Sequence, residues 1–355
     1  MGFKNTLGKI ASIYSDAFDP LLFQKRYAHN TLKKKRCTII FDKIDHETIR
    51  KIKDMWGKKN GWFNFYYTVG DKSKGHLYFP DDWFFDSVDA SLNDWRTCKA
   101  IDDKGMYDLY FTDVKRPKTI ARCCGGLWLN EKYEMIDLKR VLSICNDAGR
   151  VIIKPSISSS GGRGIVFWQK GQNDLTEKLK SFSNCVVQEI LEQHDDLNAI
   201  HAESINTIRI MTMLLDGEVH ILSSILRMGV GDSKVDNVSS GGLACGIDER
   251  GKLKKMAYGS DGRGVDKHPQ GPVFEGLSVP GFDACKTICK TLAPRFARFS
   301  RLVSWDFAID KNAQPLLIEA NLYGGELDFH QMCNGPIFGD EATTKEIIKR
   351  FYKKH

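Results

Sequence analysis

The stretch that decides the fold is residues 303–321, which reads VSWDFAIDKNAQPLLIEAN. Two apolar-rich runs flank the polar segment DKNAQ, and this pattern predicts two strands joined by a turn. Side chains two positions apart share a strand face, so Glu319 and Asn321 project together, and the hairpin can bring Asp306 beside them. Carboxylate and amide oxygens suit Mg²⁺. The three residues are therefore a candidate metal site, and polar residues on a solvated sheet face are the alternative.

A lysine at the end of a buried strand gives the second signal. The run VIIKP at 151–155 predicts a short strand that stops at Pro155 and places Lys154 at its end. The Ser- and Gly-rich loop that follows can fold its N–H groups over phosphate oxygens. It lacks the Gly-Lys-Ser/Thr of a Walker A loop, and a mobile hairpin tip is the alternative. The loop residues expected to bind phosphate are Ser159, Ser160, Gly161, Gly162 and Gly164.

A predicted strand ends at QEIL, residues 188–191. A strand that runs into a linker offers backbone groups to an adenine edge, and a carboxylate a few residues later can hold ribose hydroxyls. An ordinary strand end with a solvated acidic turn is the alternative. The expected adenine contacts are Gln188, Glu189, Ile190 and Leu191.

Arg209 lies in a predicted strand between Ile208 and Ile210, so it is expected to face a cleft or a buried partner. Its guanidinium suits fork-like binding of phosphate or carboxylate, and a structural salt bridge is the alternative. Further along, Asp236-Asn237 and Gly241-Gly242 bracket a turn that contains serines. This turn is either a substrate or phosphate site or an ordinary loop.

The remaining pattern predicts α+β lobes around a cleft. Residues 45–56 predict a helix, and Asp216-Gly217 predicts a hairpin between two strands. The region before residue 101 is rich in aromatic residues, for which core packing is favoured over a ligand-binding box. These residues are Trp62, Phe63, Phe65, Tyr66, Tyr67, Trp83, Phe84 and Phe85.

Composition limits the classes of protein. The 355 residues are 42% hydrophobic and 27% charged, which is typical of a globular protein. No apolar run is long enough to span a bilayer, and no signal peptide is recognised, so a cytoplasmic location is expected. Ten cysteines without a CxxC pair favour reduced, buried thiols over zinc or disulfides. The net charge of +7 comes without a nucleic-acid-binding motif.

The order of these signals resembles the ATP-grasp superfamily. From Trp95 to about Pro336 the chain is similar to the branch called sugar-transfer-associated ATP-grasp proteins. The segments that carry this similarity are Val187-Gln188-Glu189, Ser204 to Arg209, Val235-Asp236-Asn237 with Gly241-Gly242, His268-Pro269, Val279-Pro280 and Ser304-Trp305-Asp306.

The resemblance implies two α/β lobes that clamp ATP, with an N-terminal accessory α/β region. It implies an accessory region at 1–100, an ATP-grasp core at 101–335 with a lid at about 150–190, and a C-terminal helix at 336–355. Lys104 and Lys154 would hold ATP phosphates under a lid at Ser159 to Gly164. The ribose carboxylate is open among Glu192, Asp195 and Asp196, with Asp196 favoured.

The same resemblance assigns metal and substrate residues. Asp306, Glu319 and Asn321 match the magnesium triad, for which two ions are expected, and Arg209 matches the arginine that meets the γ-phosphate or an acyl phosphate. Arg209 and Lys154 are the expected catalytic pair. The expected substrate contacts are Arg209, Asn237, Gly241, Gly242 and His268.

By family analogy, the expected activity is ATP-dependent amide formation through an acyl phosphate. The substrates would be an amino acid or amino sugar and a carboxyl-bearing sugar, free or linked to a nucleotide or lipid, in the synthesis of a surface polysaccharide. Contact with a glycan-assembly complex at the membrane is a further expectation, and the oligomeric state is open. A phosphotransferase on the same fold, or a non-catalytic nucleotide-binding component, is the alternative.

Overall fold

The computed structural model describes residues 46–56, 72–157 and 162–351. The aromatic residues Trp62 to Tyr67 and the loop residues Ser159, Ser160 and Gly161 therefore lie outside the described residues. The α-helices are α1 His46–Trp56, α2 Asp81–Trp83, α3 Ala90–Leu92, α4 Trp95–Ile101, α5 Tyr107–Tyr110, α6 Leu138–Ala148, α7 Leu175–Lys180, α8 Asp195–Asn198, α9 Phe282–Leu292, α10 Asp328–Asn334 and α11 Glu341–Phe351. A π-helix spans Phe84–Asp89, and 3₁₀-helices span Lys72–Leu77, Lys104–Met106, Val238–Ser240 and Ala293–Phe296.

The first of two antiparallel sheets in the described residues, the small sheet, has the strand order β2-β1-β5-β3-β4. Its strands are β1 Thr119–Cys124, β2 Leu127–Asn130, β3 Arg150–Pro155, β4 Val166–Gln169 and β5 Cys185–Glu189. Val151 and Ile153 are fully buried in the core that this sheet forms with α6 and α7. Strand alternation then puts Ile152 and Lys154 on the opposite face. The small sheet begins at Thr119, because β1 pairs directly with β5.

The second sheet, the large sheet, has the order β10-β9-β8-β7-β6-β11-β12. Its strands are β6 Thr207–Leu215, β7 Glu218–Met228, β8 Leu243–Ile247, β9 Leu253–Tyr258, β10 Gly264–Val265, β11 Leu302–Ile309 and β12 Pro315–Asn321. The hairpin predicted at Asp216-Gly217 is confirmed, with φ of 52° and 86° at the two residues. Left-handed angles at both positions match the right-handed twist of the flanking strands.

Both faces of the large sheet are covered. The core on one face includes α9, and the core on the other face joins α1, residues 77–92, α10 and α11. Trp83, Phe84 and Phe85 are buried in the second core, which confirms the prediction of core packing for this part of the aromatic region. Replacing a buried Phe of this kind by Ala costs about 3–5 kcal/mol. The large sheet is therefore a rigid platform for the side chains at its edge.

The thiols follow the prediction from composition. The cysteines of the described residues are free, and all of them except Cys124 are buried. The same residues contain no cluster of three or more His, Cys, Asp or Glu side chains that could hold a metal. The described helices are all too short or too polar to cross a membrane.

Candidate functional site

Three neighbouring strands of the large sheet bring the predicted acidic residues and arginine together. Asp306 on β11 lies opposite Glu319 on β12 and, on its other side, opposite Arg209 on β6. Asn321 lies opposite Ser304, and its side-chain N–H donates to the Ser304 carbonyl at 3.1 Å. This bond leaves the amide oxygen of Asn321 available beside the two carboxylates. The local hairpin geometry predicted from alternation is thus present.

Asp306 is the centre of a buried ion-pair network. Arg209 donates to both of its carboxylate oxygens, from Nε at 2.7 Å and from Nη2 at 2.8 Å, and Arg227 donates from Nη2 at 3.1 Å. Burial opposes the charge on Asp306, but the two arginines outweigh it and lower the pKa of Asp306 to about 2. Asp306 is therefore ionised at every physiological pH.

Lys104 reaches from the chain before the small sheet to the large sheet. Its Nζ donates to Oε1 of Glu319 at 2.6 Å, and its backbone N–H donates to the carbonyl of Ser156, just after β3, at 2.9 Å. Burial disfavours the ammonium, but Glu319 raises the pKa of Lys104. This lysine is therefore a permanent cation that links the two sheets.

Lys154 lies on the cleft face of β3, and its pKa responds to the charges of Lys104, Glu319 and Asp236. Burial and the nearby Lys104 lower its pKa to about 8, while Glu319 and Asp236 oppose this shift. The backbone hydrogen bond from Lys104 to Ser156 places Lys104 next to the end of β3 that carries Lys154. The structure thus brings Lys104 into contact with the predicted metal carboxylate Glu319 and places Lys154 close by.

The described part of the glycine loop lies against the large-sheet side. Gly162 has φ of 70°, and a Cβ placed on it would lie 3.0 Å from Cγ1 of Val235. Gly164 has φ of 76°, and its Cβ would lie 3.0 Å from Cγ of Pro155. A left-handed backbone and close neighbours both favour glycine here. Gly162 therefore lies close to the turn that contains Asn237.

The predicted adenine segment leaves the small sheet as expected. The buried Gln188 donates from Nε2 to the hydroxyl of Thr119 at 3.2 Å, and Glu189 accepts from Lys118 at 2.6 Å on the surface. Ile190 and Leu191 follow directly after β5 and are partly exposed. The segment thus continues from the sheet face that carries Lys154, since Gln188 lies opposite Ile152.

The candidate ribose carboxylates lie around α8. Asp196 has an exposed side chain, and its N–H donates to Nδ1 of His194 at 3.2 Å. Asp195 is exposed as well, and Glu192 pairs with Lys311 at 3.1 Å. The choice of Asp196 as the ribose carboxylate stays a prediction, since Asp195 is equally exposed.

The turn expected to contact substrate is built from backbone hydrogen bonds. Asn237 precedes the helical turn Val238–Ser240, and Gly241 ends this turn with φ of 105°. A Cβ on Gly242 would lie 2.6 Å from the carbonyl of Met228 and 2.8 Å from that of Asp236, so only glycine fits. Asn237 and Gly241 remain partly or fully exposed beside Asp236.

The expected substrate contact through His268 is corrected by the structure. The side chain is fully buried, its Nε2 bonds the carbonyl of Gly229 at 2.9 Å, and its Nδ1 accepts from the N–H of Gln270 at 3.2 Å. The ring also contacts Phe274. His268 therefore holds the segment after β10 against the end of β7 and is not open to a substrate.

Several charged residues of the site were missed by the sequence analysis. Arg227 donates to Thr207 at 2.9 Å and lies 3.4 Å from Asp236, whose carboxylate also accepts from Thr207. Glu326 accepts from Nη1 of Arg209 at 2.6 Å. Burial raises the pKa of Asp102 to about 6, against the opposing effect of Lys104. Arg227 carries the same signal as Arg209, a lone charge in an apolar strand, and this signal could have found it.

The donor set fits Mg²⁺, which prefers oxygen ligands. Glu319 is 22% exposed and Asn321 is partly exposed, so both can reach a metal in the cleft. Asp306 is 1% exposed and already accepts three N–H bonds from its arginines. A carboxylate has about four lone-pair positions, so Asp306 retains one for a metal. Glu319 and Asn321 are thus the open ligands of the predicted triad.

Lysines on the small-sheet side face carboxylates on the large sheet. This arrangement of two antiparallel sheets defines a protein of the ATP-grasp class. A family model described as sugar-transfer associated ATP-grasp matches residues 86–346. This chain belongs to that family. No curated protein sequence matches the chain.

Solved structures show distant likenesses. The chain is similar to D-cycloserine synthetase DcsG, with 12% identity, a TM-score of 0.43 and coverage of 74% of each chain. It is also similar to D-alanine–D-alanine ligase from Bacillus anthracis, with 16% identity, a TM-score of 0.37 and coverage of 70% of this chain and 66% of that one. The biotin carboxylase domain of 2-oxoglutarate carboxylase from Hydrogenobacter thermophilus gives 13% identity and a TM-score of 0.42. That match covers 72% of this chain and spans only 46% of the other.

Proposed function

We propose that this protein is an ATP-dependent carboxylate–amine ligase that joins an amino acid or amino sugar to a carboxyl-bearing sugar. The observation that carries the proposal is the hydrogen bond from Lys104 to Glu319, beside the Asp306–Arg209 pair, with the strand end that carries Lys154 held next to Lys104. Membership of the sugar-transfer associated ATP-grasp family supports the use of ATP. The sugar substrate and a role in surface polysaccharide synthesis are supported by the family description alone.

The charges of the site support binding of ATP together with its metal ions. Four cationic side chains face five carboxylates, and those of Asp306, Glu319 and Glu326 each form a direct bond to a cation. The cations are Lys104, Lys154, Arg209 and Arg227, and the carboxylates are Asp102, Asp236, Asp306, Glu319 and Glu326. ATP neutralised by two Mg²⁺ ions adds little net charge to such a site. ATP alone would add uncompensated negative charge beside Glu319.

Each cluster has a distinct part in the proposed reaction. Lys104 leaves Glu319 and, together with Lys154, holds the phosphates, while Gln188 to Leu191 border the adenine and Asp196 holds the ribose. Glu319 and Asn321, with the remaining lone pair of Asp306, would hold Mg²⁺, which neutralises phosphate oxygens. Arg209 binds the phosphoryl group at its acceptor side. The predicted phosphate loop, Ser159 to Gly164, would keep water from the acyl phosphate.

Two displacements then complete the chemistry. A carboxylate oxygen of the sugar attacks the γ-phosphorus of ATP, and the bond from this phosphorus to the ADP oxygen breaks. The resulting acyl phosphate is attacked by the amine nitrogen, and phosphate leaves as the amide forms. Asn237 and Gly241 lie beside Asp236 where they can contact the sugar. We place the reaction in the cytoplasm, with the core at 101–335 between the accessory region and the C-terminal helix.

A product screen tests the proposal. ADP and phosphate are measured with MgATP and pairwise combinations of uronic acids, nucleotide-linked uronates and amino acids or amino sugars. A ligase releases free phosphate only when carboxylate and amine are both present. Transfer of phosphate to a hydroxyl would favour the phosphotransferase, and nucleotide binding without turnover on the whole panel would favour a non-catalytic component.

A metal-site variant tests the residue assignments within the same screen. Glu319→Ala is expected to lower turnover by about 10²-fold or more, because charge that develops on the phosphate loses its metal. Asp113→Asn is the matched control, since Asp113 forms an exposed carboxylate pair with Arg295 away from the site. Equal turnover of the Glu319 variant and the control would refute the metal assignment.

A further inference from the structure

Glu326 is a carboxylate of the cleft that the assignments to metal and phosphate leave without a role. It follows Gly324 and Gly325 in the turn after β12. The N–H of Gly324 donates to the buried Asp89 at 3.3 Å, and a Cβ on Gly325 would lie 2.5 Å from Oγ of Ser304. These close contacts fold the turn back over β11. Glu326 is thus directed at the guanidinium of Arg209.

Glu326 is the outermost member of a line of charges. Its Oε2 accepts from Nη1 of Arg209 at 2.6 Å, while Nε and Nη2 of the same arginine donate to Asp306. The side chain of Glu326 is 20% exposed, against 8% for Arg209 and 2% for Asp306. Among the residues that the structure describes, Oε1 of Glu326 accepts no hydrogen bond. One oxygen of Glu326 is therefore free on the open side of the pair.

The other carboxylates of the site are already engaged. Asp306 holds two arginines, Glu319 holds Lys104, and Asp236 accepts from Thr207 beside Arg227. Asp306 and Glu319 are also assigned to Mg²⁺, and the side chain of Asp236 is 15% exposed against 20% for Glu326. Glu326 can bind a second cation through its free oxygen while Arg209 remains fixed by Asp306.

The Arg209–Glu326 pair complements the two reactants of amide formation. An acyl phosphate is anionic, and an amino acid or amino sugar arrives as an ammonium ion, so the two reacting groups carry opposite charges side by side. Arg209 presents the cation for the phosphoryl group, and Glu326 presents the anion for the ammonium. A neutral nucleophile would gain nothing from Glu326.

We infer that Glu326 binds the ammonium group of the incoming amine and accepts one of its protons; this inference rests on the proposed ligase function. The ammonium gives one proton to the carboxylate, and its freed electron pair forms the bond to the carbonyl carbon of the acyl phosphate. The bond between that carbon and the phosphate oxygen breaks. The second proton of the nitrogen leaves with phosphate, and Glu326 returns its proton to solvent.

The test compares a charged with an uncharged nucleophile. Wild type and Glu326→Gln are supplied with MgATP, a panel of glucuronate, galacturonate and their UDP-linked forms, and either hydroxylamine or an amino acid. Hydroxylamine is uncharged at neutral pH and traps the acyl phosphate as a hydroxamate. The variant is expected to form hydroxamate within a few-fold of wild type and to lose amide formation by about 10²-fold or more.

Matched variants separate this role from a structural one. Glutamine keeps a hydrogen-bond acceptor for Arg209 without the charge, and Glu326→Asp should recover part of the amide activity. Asp216→Asn is the control, because Asp216 forms a surface pair with Arg350 at 2.7 Å through both oxygens. Thermal unfolding of each variant checks that the chain is folded.

The outcomes are distinct. Equal loss of hydroxamate and amide would show that Glu326 only positions Arg209, and retention of both would show that it does not contact the amine; either result overturns the inference. Wild type that forms neither product with any carboxylate of the panel would instead overturn the ligase proposal, and the inference with it.

Discussion

Arg209 and Lys154 are both cations beside the same acidic cluster, but their environments differ. Burial opposes the charge on Arg209, yet Asp306 and Glu326 raise its pKa. Burial and Lys104 instead lower the pKa of Lys154 to about 8. The large-sheet half of the site thus satisfies its own charges. The small-sheet half holds a cation whose best partner is an anionic ligand.

The largest expected effect comes from removing the charge of Asp306 from the large-sheet part of the site. Asp306→Asn removes the carboxylate that holds two buried arginines, and it should lower the free energy of unfolding by about 3–5 kcal/mol. Chemical denaturation with Asp113→Asn as the exposed control measures the difference. The control should unfold like wild type, because solvent replaces its partner. Similar stability of both variants would mean that the Asp306 network is not structural.

At Lys154, in the small-sheet part of the site, we expect the reverse: activity is lost and stability is kept. Lys154→Met removes a buried ammonium group, whose burial destabilises the folded protein. The free energy of unfolding should therefore stay equal or rise. Turnover of ATP should fall by about 10²–10³-fold, because the charge that develops on phosphate loses a donor. Chemical denaturation gives the free energy of unfolding, and ADP release on the same preparations gives the turnover of ATP. A variant that is less stable than wild type yet equally active would invert the comparison.

The lowered pKa of Lys154 predicts a pH dependence of ATP affinity. Above about pH 8 the free protein loses the Lys154 proton, and binding of the anionic nucleotide must recover it. Affinity for MgATP should therefore fall as pH rises from 8 to 9.5, by up to about tenfold per unit. Calorimetric titration measures it. Lys154→Arg should show a flat profile, since arginine stays charged; a profile that falls as steeply would assign the effect elsewhere.

The lowered pKa of Lys154 also determines how the contribution of this residue to the free energy of unfolding changes with pH. An unfolded lysine titrates near 10.5, whereas folded Lys154 titrates near 8. Between these values the unfolded chain binds more protons than the folded chain, so this group makes stability rise with pH. Its full destabilising effect is present below pH 8. Comparison of wild type with Lys154→Met across this window isolates the contribution.

Local patterns predicted much of this fold. The alternation in 303–321 and the Asp216-Gly217 turn correctly predicted the two central hairpins, because strand period and turn chemistry are short-range properties. β8 was missed, since its sequence LACGI has a single β-branched residue and no aromatic residue, and therefore carries little strand signal. The expectation for His268 was wrong because burial depends on how β7 and the segment after β10 pack, which no local pattern reveals.

Sequence analysis predicted which residues belong to the site more fully than it predicted which of them pair with each other. Asp306 and Arg209 were both found, but their mutual bonds join positions 97 residues apart, and the register of β6 against β11 decides them. Glu326 was missed because a glutamate in a glycine turn has no periodic signal. Its place follows only from the close approach of Gly325 to Ser304. Pairing across the cleft is thus a property of the tertiary fold.

The smallest expected effect concerns the contact between the halves. Gly162→Ala places a Cβ 3.0 Å from Val235 at φ of 70°, whereas Gly126→Ala meets no atom within 4 Å at φ of 86°. Both variants suffer about 1–2 kcal/mol of backbone strain, so only the excess loss in Gly162→Ala reports the contact. Val235→Ala should remove this excess in the double variant by at least about 0.5 kcal/mol, measured by chemical denaturation. Equal losses at the two glycines, unchanged by Val235→Ala, would mean that Gly162 does not contact Val235.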